Sequence, residues 1–268
     1  MNYYKTNKEA WNEAFIIQQK SYVNNPIDKK VNNLFEFFNQ DTIEELKNIN
    51  LKNKNIAQFC CNNGRELLSI SKAGIKSGIG FDISENFIKE ANLISRLNNI
   101  NCEFVCTNII DIGNEYKSKF DLVFSTIGTI CWFKNLNDFF NKVNFVLKPD
   151  GFFLLNEVHP ITNLFAMENE SEFDKNNPEK IIYSYFKNDE WINNSGMDYI
   201  GNTLYKSKTF ISFSHTFSDI INAMINNKIQ IVKINEYNYS LHDFKAIDKN
   251  KIPLSMIVIG KKMQPDFL

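Results

Sequence analysis

From Asn55 the chain alternates short apolar runs with segments whose apolar residues recur at helical spacing. The runs Ile56–Cys61, Gly78–Asp82, Cys102–Cys106, Phe120–Ser125 and Gly151–Glu157 have strand length. Between them Glu66–Ala73, Ser84–Leu97 and Asn137–Leu147 read as helices, the second with Ser84 as its N-cap. Strand and helix repeated in this order predict a parallel sheet covered by helices. Lys148-Pro149-Asp150-Gly151 predicts a turn ahead of the fifth strand.

Outside this stretch the pattern changes. Trp11, Ala14, Phe15 and Gln18 fall on one face of a first helix, and Thr42-Ile43-Glu44-Glu45 has the form of a capping box opening a second. Residues 161–208 are polar and aromatic without a clear period, which predicts an insertion rather than another unit of the sheet. Periodicity returns with a helix over Ser218–Asn226, a strand over Ile229–Glu236 and, after a long connection, a final strand over Leu254–Gly260. The expected organisation is a helical segment over 1–54, a core built from 55–160 and 209–268, and a substrate cap over 161–208.

Composition narrows the function classes. The 268 residues carry a formal net charge of −1, so no global basic field draws in a nucleic acid, which is not expected as a partner. No apolar run approaches the roughly 20 residues of a membrane span and the start lacks a signal-type stretch, so a cytoplasmic protein without a membrane partner is expected. The five cysteines, Cys60, Cys61, Cys102, Cys106 and Cys131, sit mostly in apolar runs and are expected to be reduced and buried. With three histidines and no CxxC, no metal site is expected.

The candidate chemistry lies where the first three strands end. Cys60-Cys61-Asn62-Asn63-Gly64 is a strand-to-helix turn whose backbone N–H groups can meet a ligand, with Asn62 and Asn63 tolerant of positive φ. Asp82 closes the second strand, where a carboxylate can accept both hydroxyls of a ribose, and Ser84 is placed to cap the next helix and leave Asp82 to the ligand. Asn108 follows the third strand, placed to read the amino edge of an adenine while Ile109 packs on the ring.

These positions, with Phe81-Asp82-Ile83-Ser84 and the turn Leu147-Lys148-Pro149-Asp150-Gly151-Phe152, resemble the class I S-adenosylmethionine-dependent methyltransferases over roughly Asn55 to Glu157. Ser125-Thr126-Ile127-Gly128-Thr129-Ile130-Cys131-Trp132 and Asn156-Glu157-Val158-His159-Pro160 are similar to a bacterial subgroup acting on small molecules. The resemblance implies an α/β, doubly wound, Rossmann-like sheet of seven strands with the last antiparallel, N-terminal helices that close over the cofactor, and an inserted cap. It implies S-adenosylmethionine as cofactor, S-adenosylhomocysteine as product, and cofactor contacts from Cys60, Cys61, Asn62, Gly64, Asp82, Ile83, Asn108, Ile109 and Ser125. Where that family ends its first strand on an acid, this chain has Gln58.

Methyl transfer from a sulfonium is an in-line displacement, and a base is needed where the acceptor must lose a proton. His159 is the expected base, titrating near neutral pH, with Glu157 placed to orient it. Trp11, Tyr22, Trp132 and His215 are expected to contact a small-molecule acceptor, for which a hydroxyl is favoured because a base is at hand; His242 is expected to face water. Two rival readings share part of the pattern. A nicotinamide-dependent oxidoreductase would need closely spaced glycines that Cys60–Gly64 lacks, and a non-catalytic binding protein on the same fold fits the eroded glycine turn.

Overall fold

The computed structural model describes residues 2–24, 31–168, 170–198, 203–241, 244–247 and 251–264, the side chains of 21–24 excepted. Strands β1 (Asn55–Phe59), β2 (Ser77–Asp82), β3 (Cys102–Cys106), β4 (Phe120–Ser125) and β5 (Leu147–Val158) come first. Next, β6 (Trp191–Asn193) and β7 (Phe210–Ser212) form a separate two-stranded sheet among the described residues, and β8 (Ile229–Tyr237) and β9 (Ser255–Lys262) follow. The main sheet has seven strands in the order β3-β2-β1-β4-β5-β9-β8. Strands β1 to β5 are parallel, and β9 runs antiparallel to both β5 and β8. The order reverses between β1 and β4, which opens a crevice at their carboxyl ends.

The helices are α1 (Tyr3–Asn24), α2 (Gln40–Ile49), α3 (Arg65–Ile70), α4 (Glu85–Leu97), α5 (Leu136–Val146) and α6 (Phe217–Asn226). Each face of the sheet has its own core. Ala57, Phe59, Val123 and Phe153 pack with Phe139 of α5 and Ile220 of α6. Ile56, Phe104, Phe124 and Leu154 pack with Leu46 of α2, Leu67 of α3 and Ile88 of α4. Alternate residues of one strand thus enter opposite cores, which is why the central strands are mainly apolar. The result is the expected doubly wound seven-stranded sheet, with its last strand antiparallel.

Local chemistry departs from expectation at four places. The predicted turn at 148–151 is a bulge inside β5: pairing jumps from Phe120 with Leu147 to Leu122 with Phe152, and Asp150 takes a φ of 63°. Lys261 Nζ reaches Asp150 Oδ1 at 2.7 Å and Lys148 Nζ reaches Asp121 Oδ2 at 2.8 Å, pinning the bulge on both sides. Helix α2 is capped by Asn39, whose Oδ1 accepts from Thr42 N–H at 2.8 Å, rather than by Thr42. The capping box belongs instead to Thr216 and Asp219 of α6. All five cysteines are free, but only Cys61 is fully buried and Cys106, at the end of the edge strand β3, is exposed.

Between β5 and α6 the chain leaves the sheet and returns through β7, so this excursion runs on beyond 208. Helix α1 is fastened to it. Asn7 donates to the Ile211 carbonyl and accepts from the Ile211 N–H, both at 2.8 Å, while Gln18 donates to the Met197 carbonyl at 3.2 Å.

Candidate functional site

Two cavities open at the carboxyl ends of the central strands. The first, of about 720 Å³, is lined by Cys60, Cys61 and Asn62 after β1, by Asp82 and Ile83 at the end of β2, and by Asn108 and Ile109 after β3. The turn after β1 takes positive φ at every second residue: 53° at Cys60, 50° at Asn62 and 71° at Gly64. Asn62 was expected in this conformation; its companion is Cys60, not Asn63. A left-handed L-residue costs roughly 1–2 kcal/mol, and Cys60 lacks the polar side chain by which asparagine offsets it, so strain is held on the cavity wall. Gly64 lies off the cavity, where a Cβ would stand 2.1 Å from the Phe104 ring.

Asp82 Oδ2 accepts from Asn62 N–H at 2.9 Å and Oδ1 accepts from Ser84 N–H at 2.8 Å. Ser84 does cap α4, yet Asp82 is not left wholly to a ligand, because it also fastens the turn. A carboxylate accepts about four hydrogen bonds, so acceptor capacity remains for a ligand. Burial raises the Asp82 pKa, and the N–H groups of Ser84, Asn62 and Ile83 oppose the rise. Ser125 is fully buried in β4 with its Oγ unpartnered and lies off the cavity; the wall position falls to Thr126, which donates to Glu66 Oε2 at 2.9 Å.

The second cavity, of about 490 Å³, is bounded by His159, His215, Tyr183, Trp191 and Phe213. Gly128, Trp132 and Val158 line both cavities, which therefore adjoin. Trp11 lines the first cavity rather than the second and meets Trp132 edge-on at 5.4 Å. Tyr22 and His242 lie outside the described side chains.

Glu157 does not orient His159. Its carboxylate accepts from the N–H groups of Gly128 (2.7 Å), Thr129 (2.9 Å), Ile130 (3.4 Å) and Val158 (2.9 Å), shaping the loop after β4. Burial raises its pKa against those donors. His159 caps a 3-10 turn: Nδ1 accepts from Ile161 N–H at 3.2 Å, Nε2 lies 2.8 Å from Glu236 Oε1, and the ring stacks on Phe217. A ring whose acceptor nitrogen already serves a backbone N–H has no lone pair left for an acceptor's proton. His159 as arranged is therefore a structural cap rather than the expected base.

His215 differs. Its Nε2 donates to the Phe133 carbonyl at 2.9 Å, which in the neutral ring assigns the lone pair to Nδ1. Burial lowers its pKa, opposed by the carbonyls of Phe133 and Ile130 and by Asp219, so the ring is neutral at physiological pH.

Sequence reading missed Arg65 and Glu66, the first residues of α3, which line the first cavity. Their position directly after the turn was the available signal. It also missed Tyr4, Asn7 and Gln18, three residues of α1 on the same wall. Among the described residues no helix is long and apolar enough to cross a membrane, and no three His, Cys, Asp or Glu side chains are grouped to hold a metal.

Residues 57–155 match the family described as a methyltransferase domain. A search of curated proteins found no match. Among solved structures, the chain is similar to an S-adenosylmethionine-dependent methyltransferase from Mesorhizobium loti at 15% identity, covering 82% of this chain and 96% of that one, with a TM-score of 0.60. A methyltransferase of the same kind from Clostridium acetobutylicum is 15% identical over 94% of this chain and 99% of that one, with a TM-score of 0.60. The geranyl diphosphate C-methyltransferase of Streptomyces coelicolor, in complex with Mg2+, geranyl diphosphate and S-adenosyl-L-homocysteine, is 12% identical over 83% of this chain and 77% of that one, at a TM-score of 0.54. At these identities the likeness is one of fold.

Proposed function

We propose that this chain is a class I S-adenosylmethionine-dependent methyltransferase, a reading its domain match and fold support, and that it methylates a hydroxyl of a small organic acceptor held in the second cavity. The observation that carries the reading is the shared boundary of the two cavities at Gly128, Trp132 and Val158. Asp82, Asn108 and Ile109 are the residues that fit an adenosine, and the cradle agrees: a Cβ on Gly128 would meet nothing within 4 Å, so backbone there borders open space.

Bound S-adenosylmethionine supplies an electrophilic methyl group on a sulfonium. The work left to the protein is placement and the handling of one proton. Trp132 and Trp11 present aromatic surface beside the shared boundary, which favours a cation and excludes water. His215, not His159, is the base in this reading: the Phe133 carbonyl holds its Nε2–H and directs the proton of the acceptor to Nδ1. Among the described residues the second cavity is lined by Glu157, Glu170 and Glu172 and by no Lys or Arg, which disfavours a phosphorylated acceptor or a nucleic acid. Residues 161–208 act as the substrate cap, and α1 closes over the cofactor.

The test is calorimetric titration of S-adenosylmethionine and S-adenosylhomocysteine into the protein and into Asp82→Ala, with NADH as control. Binding of both sulfur ligands, lost in the variant, supports the site and opens an acceptor screen with hydroxyl and amine compounds in parallel. Absence of binding to either sends the chain back to the non-catalytic reading.

A further inference from the structure

The first cavity contains a carboxyl group that makes no ion pair among the described residues. Gln58 of β1, almost fully buried, donates through Nε2 to Glu66 Oε2, and Thr126 Oγ1 donates to the same oxygen at 2.9 Å. Both donors converge on Oε2, and Glu66 lines the cavity. Its neighbour Arg65 is the one Lys or Arg on that cavity among the described residues; its Nε is buried without a partner and its guanidinium lies 5.7 Å from the Phe37 ring centroid. The side chain is thus held by an aromatic face and not by a carboxylate.

An acid and a base on consecutive residues, each without an ion-pair partner among the described residues, fit a ligand that carries both charges. We propose that Glu66 and Arg65 receive the α-ammonium and α-carboxylate at the amino-acid end of the cofactor, so that the acid of this subsite stands on α3 while β1 supplies the amide that orients it. The inference rests on the cofactor reading above and extends it to residues at the opposite end of the ligand from Asp82. Burial raises the Glu66 pKa to about 7 against the donors Thr126 and Gln58. Ionised Glu66 is the form that takes an ammonium, so binding releases a proton and weakens as pH falls below about 7.

The groups facing Glu66 do not blur this. Gln58 from β1 and Thr126 after β4 do not titrate, and the Cys60 and Cys61 thiols stay protonated because burial raises their pKa far above neutrality. From α1 the cavity receives Gln18, Asn7, Trp11 and Tyr4, the last with its phenol pKa raised by burial. Asp82, at the end of β2, is the other carboxyl on the cavity and is common to any ligand that carries the ribose.

The test compares S-adenosylhomocysteine with 5′-methylthioadenosine, which keeps the adenosine and sulfur but lacks the amino-acid end. Calorimetry at pH 6 and pH 8 is run on the wild type, Glu66→Gln, Glu66→Asp and Arg65→Gln. In the wild type, S-adenosylhomocysteine should bind about tenfold more weakly at pH 6 than at pH 8, and methylthioadenosine equally at both. Glu66→Gln should weaken S-adenosylhomocysteine about 10- to 100-fold at pH 8 and abolish its pH dependence, leaving methylthioadenosine unchanged. Glu66→Asp should recover part of the affinity, and Arg65→Gln should lose affinity for S-adenosylhomocysteine alone. Equal loss of both ligands in Glu66→Gln, undiminished S-adenosylhomocysteine binding, or a pH dependence that survives the substitution overturns the proposal. A wild type that binds neither ligand overturns the cofactor reading itself.

Discussion

The side-chain amide of Asn7 and the backbone of Ile211 exchange two hydrogen bonds of 2.8 Å across 204 residues of sequence, and both partners are buried. Ile211 lies in β7 and Asn7 lines the first cavity, so one residue connects the first helix, the inserted segment and the cavity wall. Asn7→Ala would leave an N–H and a carbonyl of Ile211 buried without partners, at a cost of about 1–3 kcal/mol for each group. Proteolysis within 161–208 should accelerate in this variant, and adding S-adenosylhomocysteine should protect it less than the wild type. Equal cleavage of the two proteins would mean that helix and insertion move independently.

Two glycines separate stability from function. A Cβ on Gly64 would lie 2.1 Å from the Phe104 ring at a φ of +71°, so Gly64→Ala combines overpacking of about 1–3 kcal/mol with the left-handed penalty. Gly128 has a φ of +78° but open space where its Cβ would go. The expected result is a large fall in melting temperature for Gly64→Ala and a lesser one, from the left-handed penalty alone, for Gly128→Ala. The latter should nevertheless lose methyl transfer, because its methyl group projects into the boundary of the two cavities. Thermal melts beside an activity assay decide this, and an active Gly128→Ala would place the methyl's path elsewhere.

The buried titratable groups pull stability in opposite directions with pH. Burial holds His159 and His215 below their ordinary value. The unfolded chain therefore binds more protons than the folded one below about pH 6.5, and stability falls as pH drops through that range. Glu66 is raised to about 7, so the folded state keeps a proton the unfolded chain has lost; its contribution is full below about pH 4.5 and is lost as pH rises through 7. Glu66→Gln should melt increasingly above the wild type between pH 5 and pH 8 in the absence of ligand. A difference that does not change with pH would remove the titrating carboxyl from this account.

Once an acceptor is identified, His215→Gln should lower its methylation about 10²- to 10⁴-fold, the usual weight of a general base, while affinity for S-adenosylhomocysteine is retained. His159→Gln, by contrast, should act chiefly on stability, because its ring is tied to Ile161, Glu236 and Phe217. A rate loss confined to His159→Gln would restore that residue as the base.

Most of the sheet was legible because burial on both faces makes the central strands mainly apolar, and the cavity positions of Asp82, Asn108 and Ile109 were legible because strand ends are where polar residues gather in such a fold. The roles of Glu157 and His159 were not. A glutamate that gathers four backbone N–H groups and a histidine that caps a turn look in sequence like an acid–base pair two residues apart. Glu66 escaped notice for the complementary reason: at the start of a helix a glutamate is ordinary, and only the fold brings Gln58 and Thr126 onto it. Cys60 likewise gave no sign of its left-handed backbone, which the turn imposes regardless of residue preference.

The position of β9 between β5 and β8 also sets an order of assembly. As the chain emerges from the ribosome, β8 is complete while the strand it must pair with is still unmade, since among the described residues β9 is its one neighbour in the sheet. A nascent chain stalled before Ser255 therefore exposes two open strand edges at once, that of β5 and that of β8. Closure by β9 covers one and fills the other in a single step, so this domain is vulnerable to aggregation until that strand is released, whatever stability its first five strands have already gained.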